Sequence, residues 1–258
     1  MTGSAGHSGR LAELAANLAT VRARIETACA SAGREAAEVH LIAVTKTFPV
    51  SDILLLSQLG ITDIGENKDQ EAAPKAAACA AAGLALRWHF VGQLQVNKAA
   101  SVVGYAAMVH SVDRERLVFA LGRHARAAGR VIDCLVQVSL DDSGEADSAG
   151  RPGGAGMPAG AGGRGGARPA QVNDLADVLA AEQGLRLAGV MAIAPLGQPA
   201  RPAYARLRAI AEMVRSAHPG AVVISAGMSD DLGEAIAEGA THVRVGTALL
   251  GGRRPFVR

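Results

Sequence analysis

Leu11, Leu14, Leu18, Val21 and Ile25 recur at alternating steps of three and four residues, the spacing that lines one face of an amphipathic helix. Gly33 closes that helix after a short polar leader has opened it. The stripe suits a core contact or a cover for one end of the fold, and a period near 3.5 also suits a helical seam between two subunits.

From Val39 the pattern changes to one repeated beat: an apolar, β-branched run, a short Gly-rich or polar turn, then an alanine-rich helical stretch. The runs at Val39–Lys46, Ile61–Asn67, Arg87–Gly92, Met108–Val112, Cys134–Leu140, Leu185–Ile193, Val222–Met228 and His242–Leu249 read as strands. Helices are predicted near Ser51–Leu59, Gln70–Ala82, Gln93–Ser101, Arg114–Ala128, Gln171–Glu182, Ala203–Ala217 and Asp231–Glu238. Runs apolar on both faces belong to parallel sheets covered by helices on both sides. Eight such runs alternating with helices in 258 residues predict an α/β chain folded as one (β/α)8 TIM barrel over 1–258, with an extra N-terminal helix. A doubly wound sheet competes, but it usually carries a glycine fingerprint after its first strand, where this chain has Lys46-Thr47-Phe48-Pro49.

One segment breaks the beat. Residues 141–169 are crowded with Gly, Ala, Pro and Arg and bury too little apolar area to offset their ordering entropy, so a disordered insertion after the fifth strand is expected.

Composition narrows the function. Apolar residues make up 49% and charged residues 19%, as in a globular chain with a large core, and Lys+Arg 26 against Asp+Glu 24 leaves no basic stripe for nucleic acid. Cys29, Cys79 and Cys134 stand apart from one another, which reads as reduced thiols in a cytoplasmic protein. The opening MTGSAGHSGR has no apolar signal core and no run reaches the length of a membrane span, so no membrane partner is expected. No histidine spacing matches a metal motif.

Polar residues gather where the predicted strands end: Lys46, Gly65-Glu66-Asn67, His89 with Gly92, His110-Ser111, Met191, the turn Ser225 to Ser229, and Arg244 with Gly246-Thr247. The carboxyl ends of the strands carry the active face of such barrels. Alternation puts Ile42, Val44 and Lys46 on one face of the first strand, so Lys46 is expected to point inward. An ammonium shielded from water is costly, which favours the neutral amine that attacks aldehydes, as in a Schiff base. The plainer reading is a lysine that reaches the strand end and pairs with a carboxylate.

In SAGMSDD, Gly227 lets the chain turn sharply and Ser229-Asp230-Asp231 offers oxygens to cap the next helix; Gly246-Thr247 makes a second small-residue turn. The loops after the seventh and eighth strands are the customary phosphate site of this fold. His242, Arg244 and Gly246 share the inner face of the eighth strand, where Arg244 needs an acceptor, either a pyridine nitrogen or a carboxylate such as Glu66. His89 reads as a hydrogen-bonded wall residue, and Asn67 as either a ring contact or a helix cap.

The segments LIAVTKTFP, GENKDQE, WHFVGQLQVNK, HSVD, GVMAIAP and SAGMSDDLGEAIAEGATHVRVGTALLGGR fall in the order found in the pyridoxal phosphate homeostasis proteins. By them the chain resembles that family, whose fold is similar to the N-terminal barrel of alanine racemase. The resemblance implies that Lys46 forms the internal aldimine with pyridoxal 5′-phosphate. It also implies that Ser225, Gly227, Met228, Ser229, Gly246 and Thr247 surround the phosphate, that Arg244 faces the pyridine nitrogen, and that Asn67, His89 and Met191 line the ring.

A cation at that nitrogen disfavours its protonation and weakens the cofactor as an electron sink. Neither Tyr105 nor Tyr204 lies in a motif like the racemase base. The resemblance therefore implies a cofactor carrier in intracellular pyridoxal phosphate homeostasis, with apo forms of pyridoxal-phosphate enzymes as acceptors, and a monomer or weak dimer. An amino-acid racemase or a Schiff-base aldolase is the alternative. The chain departs from the family pattern in Lys68-Asp69, where an aromatic or aliphatic pair is usual, in the missing lysine after Gly144-Glu145, and in the insertion that follows.

Overall fold

In the computed structural model, which describes residues 2–141 and 165–252, the eight apolar runs are eight parallel strands that close in sequence order. They are β1 (His40–Val44), β2 (Asp63–Glu66), β3 (Arg87–Phe90), β4 (Ala106–Val112), β5 (Ile132–Gln137), β6 (Leu185–Met191), β7 (Val223–Ser225) and β8 (His242–Val245), with β8 pairing back onto β1 through Ile42 and Arg244. The helices between them are α2 (Val50–Gln58), α3 (Asp69–Ala81), α4 (Ala99–Tyr105), α5 (Glu115–Ala127), α6 (Val172–Ala181), α7 (Ala200–Ala217) and α8 (Leu232–Ala237). The barrel expected from the pattern is the fold, and the doubly wound alternative is excluded by the closure.

Alternation sorts the strands into two faces. Ala43, Ile64, Trp88, Val243 and Val245 face outward and pack under the helices. Met108, Leu135, Ala188 and Met191 form a buried apolar cluster inside, beside a lumen of polar groups that includes His89, His110, Ser225 and Arg244.

The N-terminal helix α1 (Thr2–Ser31) takes in the stretch expected as a polar leader. Its stripe is consumed within the chain: Leu14, Leu18, Val21 and Ile25 are buried against Ile236, Leu249 and Leu250, which makes α1 a cover for the barrel wall rather than a seam between subunits. Asn17 donates to the Leu249 carbonyl at 3.0 Å and Arg10 to the Leu250 carbonyl at 2.9 Å, so α1 also fixes the turn that follows β8. Gly33 ends the helix with φ 66°, a left-handed value that glycine adopts without strain.

The eighth run does not stay extended to Leu249. β8 stops at Val245, and Gly246 turns the chain into α9 (Thr247–Leu250), closed by a bond from the Leu249 N–H to the Gly246 carbonyl at 3.0 Å. The stretch expected as one helix over Gln93–Ser101 is a 3-10 turn, Val96–Lys98, running into α4. Of the expected insertion, residues 142–164 lie outside the described residues. The last part of it is ordered: Ala167 accepts from Ser139 N–H at 2.9 Å and donates to the Gln137 carbonyl at 2.8 Å, extending the β5 edge.

Candidate functional site

The strand ends build a rim and a floor. On the rim, Lys46, Met228 and Thr247 are exposed, and Asn67, Ser229 and Gly246 are half-buried. Below it His89, Met191, Ser225 and Arg244 are buried. The closed sheet brings the ends of β7, β8 and β1 into neighbouring places, with β8 between the other two.

Lys46 corrects one expectation. β1 ends at Val44, and the chain turns at once: Phe48 N–H bonds to the Thr45 carbonyl at 3.0 Å and Thr47 sits at φ 67°. Strand alternation therefore does not reach residue 46, and Lys46 is exposed on the rim instead of buried in the lumen. A positive φ at a β-branched residue is costly and persists only where neighbours hold it. Here three do. Thr45 Oγ1 donates to Glu66 Oε1 at 2.7 Å, Lys75 Nζ donates to the Thr45 carbonyl at 2.9 Å and to Glu66 Oε1 at 2.6 Å, and Thr47 N–H donates to Glu71 Oε2 at 2.9 Å. The residues on both sides of Lys46 are thus pinned from β2 and α3. Burial pushes the Glu66 carboxyl up, against the opposing hydrogen bonds from Lys75 and Thr45.

Glu66 is therefore not the partner of Arg244. It lies on the outer face, and Arg244 meets neutral acceptors: Nη1 donates to Ser225 Oγ at 2.6 Å and Nη2 to the Ala192 carbonyl at 2.9 Å. Burial lowers the Arg244 guanidinium from its ordinary value, with Tyr204 and Asp231 acting in the opposite sense. These bonds use two of its five N–H groups.

The turn after β7 is held from three sides. Gly227 has φ 87°, and a Cβ there would lie 2.7 Å from that of Ala235. Asp231 was expected to cap α8; its carboxylate turns back instead, Oδ1 accepting from the Met228 N–H at 2.6 Å and Oδ2 from the Tyr204 hydroxyl at 2.7 Å. Arg24 of α1 donates to the Ser229 carbonyl at 2.6 Å. The Ala248 N–H donates to Ser229 Oγ at 3.3 Å, joining this turn to the one after β8. Small residues, a hydroxyl and main-chain N–H groups so placed suit a phosphate. With Arg244 donating below and an amine on the rim, the residues fit a phosphorylated pyridine aldehyde.

Two candidates behave differently from a cavity lining. His89 has both nitrogens engaged, Nε2 at 2.8 Å from Asp63 Oδ1 and Nδ1 at 3.0 Å from His110 Nε2, as a wall residue would. The Ser225 hydroxyl is committed to Arg244 and to His110 Nδ1, the latter at 2.9 Å, so it faces the lumen and not the turn below it in sequence. Burial pushes the Asp63 carboxyl up, but the hydrogen bonds from His89 and Thr62 outweigh it and hold it at about 2. Burial, then His89 and Arg244, keep His110 well below the usual histidine range.

Asp63, Lys75, Glu71 and Tyr204 carry this geometry and were not singled out from the sequence. Only the four-residue spacing of Glu71 and Lys75 on α3 gave a sign of a pair. At Gly92 a Cβ would lie 2.1 Å from the Asn67 carbonyl oxygen, so the β3 turn presses directly on the Asn67 main chain.

Among known proteins, the family model described as "Alanine racemase, N-terminal domain" matches residues 10–254. The chain is 39% identical over 262 residues, 95% of each chain, to the "Pyridoxal phosphate homeostasis protein" of Mycobacterium tuberculosis strain H37Rv. A structure described as that of "an unknown protein from Bifidobacterium adolescentis" superposes with a TM-score of 0.80 at 30% identity, covering 93% of this chain and 96% of that one. PipY of Synechococcus elongatus, solved with pyridoxal phosphate bound, superposes with a TM-score of 0.75 at 32% identity, covering 92% of this chain and all (100%) of PipY.

Proposed function

The chain belongs to the pyridoxal phosphate homeostasis proteins, within the alanine racemase N-terminal domain family, and on that premise we propose that it binds pyridoxal 5′-phosphate through Lys46 and hands it on without transforming a substrate. The observation that carries this reading is the convergence of one exposed amine, two joined small-residue turns and a buried arginine at the carboxyl ends of neighbouring strands.

The residues divide the work. Ser229, Gly246 and Thr247, with the main chain around Gly227 and Met228, receive the phosphate; Asp231 keeps the Met228 N–H, so Met228 contributes shape rather than that donor. Asn67 borders the ring, Met191 lies in the apolar lumen beneath it, and His89 supports from the wall. Lys46 would hold the cofactor, its amine offering a nucleophile for the aldehyde, a link that would form with loss of water and reverse with its return. When bound, the cofactor would supply an electrophilic carbon at which an incoming amine could displace the Lys46 nitrogen. Exposure of Lys46 supports exchange, since the link lies where an acceptor reaches it.

Tyrosine placement supports a carrier over a racemase. Tyr204 OH donates to Asp231 and Tyr105 OH donates to Asp69 at 3.4 Å; both are raised, Tyr204 by burial and Asp231, Tyr105 by burial and Asp69. Neither presents a base to the rim. No helix among the described residues is long and apolar enough to cross a membrane.

The test is spectroscopic. Addition of pyridoxal phosphate is expected to give the yellow aldimine band, and mixing with an apo-enzyme is expected to move the cofactor to it. Proton exchange at the α-carbon of alanine that vanishes in Lys46→Ala would replace the carrier reading with the racemase one.

A further inference from the structure

A single file of hydrogen bonds crosses the barrel from Asp63 to Arg244. Arg244 Nη1 lies 2.6 Å from Ser225 Oγ, Ser225 Oγ 2.9 Å from His110 Nδ1, His110 Nε2 3.0 Å from His89 Nδ1, and His89 Nε2 2.8 Å from Asp63 Oδ1. The four links use strands β2, β3, β4, β7 and β8, so the file ties opposite walls together.

We infer that Asp63, His89, His110 and Ser225 are positioning residues that brace the Arg244 guanidinium and keep it a pure hydrogen-bond donor toward the ring nitrogen of the cofactor. This rests on the reading that Arg244 faces that nitrogen.

The ends of the file fix its interior. A guanidinium only donates and a carboxylate only accepts, so with both imidazoles neutral each proton between them has one place. Arg244 donates to Ser225 Oγ, whose hydroxyl then donates to His110 Nδ1. His110 Nε2–H donates to His89 Nδ1, and His89 Nε2–H donates to Asp63. Both imidazoles are neutral Nε2–H tautomers in this order. The reverse order needs an additional proton on His89, and it leaves the Ser225 oxygen accepting from both His110 and Arg244 with no acceptor in the file for its own hydrogen. The charged or titratable groups around the two rings are Asp63, Arg87, His242 and Arg244; Arg87 pairs with Asp63 at 3.6 Å.

Such a file does not relay protons. Arginine stays charged at working pH, and the Asp63 carboxyl is held ionised by its hydrogen bonds, so neither end exchanges a proton with the chain between them. What the file supplies is orientation: the Ser225 oxygen is held as an acceptor, which fixes the guanidinium plane. A ring nitrogen facing that guanidinium remains an acceptor and stays unprotonated.

Nitrogen resonances of the protein labelled with 15N-histidine, without ligand at pH 7.5, test the brace directly. Both His89 and His110 are expected as single Nε2–H tautomers, and a proton on Nδ1 of either overturns the inference. Asp63→Ala is expected to turn the His110 signals into an average of tautomers, and Asp63→Asn, which keeps an acceptor for His89, to restore the single form. Unchanged His110 signals in Asp63→Ala overturn it. Ring-15N pyridoxal phosphate then separates the two readings: an unprotonated ring nitrogen in the wild-type complex supports the brace, and a protonated one overturns it. If the wild type fails to take up that probe at all, the carrier reading falls and the brace loses the purpose assigned to it, whatever the histidine tautomers.

Discussion

A Cβ built on Gly246 would lie 3.4 Å from the main-chain oxygen of Val44, so the turn after the last strand abuts the end of the first, two residues before Lys46. Barrel closure brings the amine and the turns together although two hundred residues separate them in the chain.

Because Lys46 lies past the strand and is exposed, Lys46→Ala is expected to leave stability within about 0.5 kcal/mol of wild type in urea denaturation, while removing the aldimine band. A large fall in stability would mean that residue 46 is part of the core.

Lys75 behaves oppositely. Its side chain and that of Glu66 are buried and paired at 2.6 Å, and removing one partner leaves a buried charge. Lys75→Met is expected to cost about 3–5 kcal/mol, with the double variant Lys75→Met, Glu66→Gln recovering part of it. Equal denaturation midpoints for the single and double variants would show that the pair is not coupled.

The phosphate turns are tested by charge and by shape. Ser229→Asp sets a carboxylate beside the phosphate and is expected to abolish pyridoxal phosphate uptake with little change in stability, measured by dialysis and thermal melting. Gly227→Ala forces a side chain into the left-handed region against Ala235 and is expected to cost about 1–3 kcal/mol as well as affinity. Normal uptake by Ser229→Asp would put the phosphate elsewhere.

Acid should weaken the fold in two stages. His242 is held at about 3, below an ordinary 6.5, by burial and then by His40 and His89. A lowered folded value means that the unfolded chain binds more protons, so this stabilisation is complete above 6.5 and is lost as pH falls toward 3, and His110 acts in the same direction. Asp63 adds a second loss between 3.8 and about 2. Glu66, raised by burial, works the other way. The urea midpoint is expected to be lower at pH 5 than at pH 7.5, with a smaller difference in His242→Gln; equal wild-type midpoints would contradict this.

Periodicity made the barrel legible, because eight β-branched apolar runs are separated by helical stretches along the chain. It also placed the polar residues at the strand ends. It failed at Lys46, because β1 ends at Val44 and the chain turns at Thr45 to Phe48, so strand alternation no longer sets where residue 46 points. The Asp63 to Arg244 file was hidden for a different reason. Its members come from five strands, and only the closed barrel sets His89 beside His110 and His110 beside Ser225. The Glu66, Lys75 and Glu71 contacts that hold the Lys46 turn depend on how α3 docks, which no local pattern specifies.

Borohydride reduction of the protein saturated with pyridoxal phosphate, followed by peptide mapping, tests the central claim most directly. The account predicts a single phosphopyridoxyl group on Lys46, absent in Lys46→Ala. A label on Lys68, Lys75 or Lys98, or none at all, would contradict it.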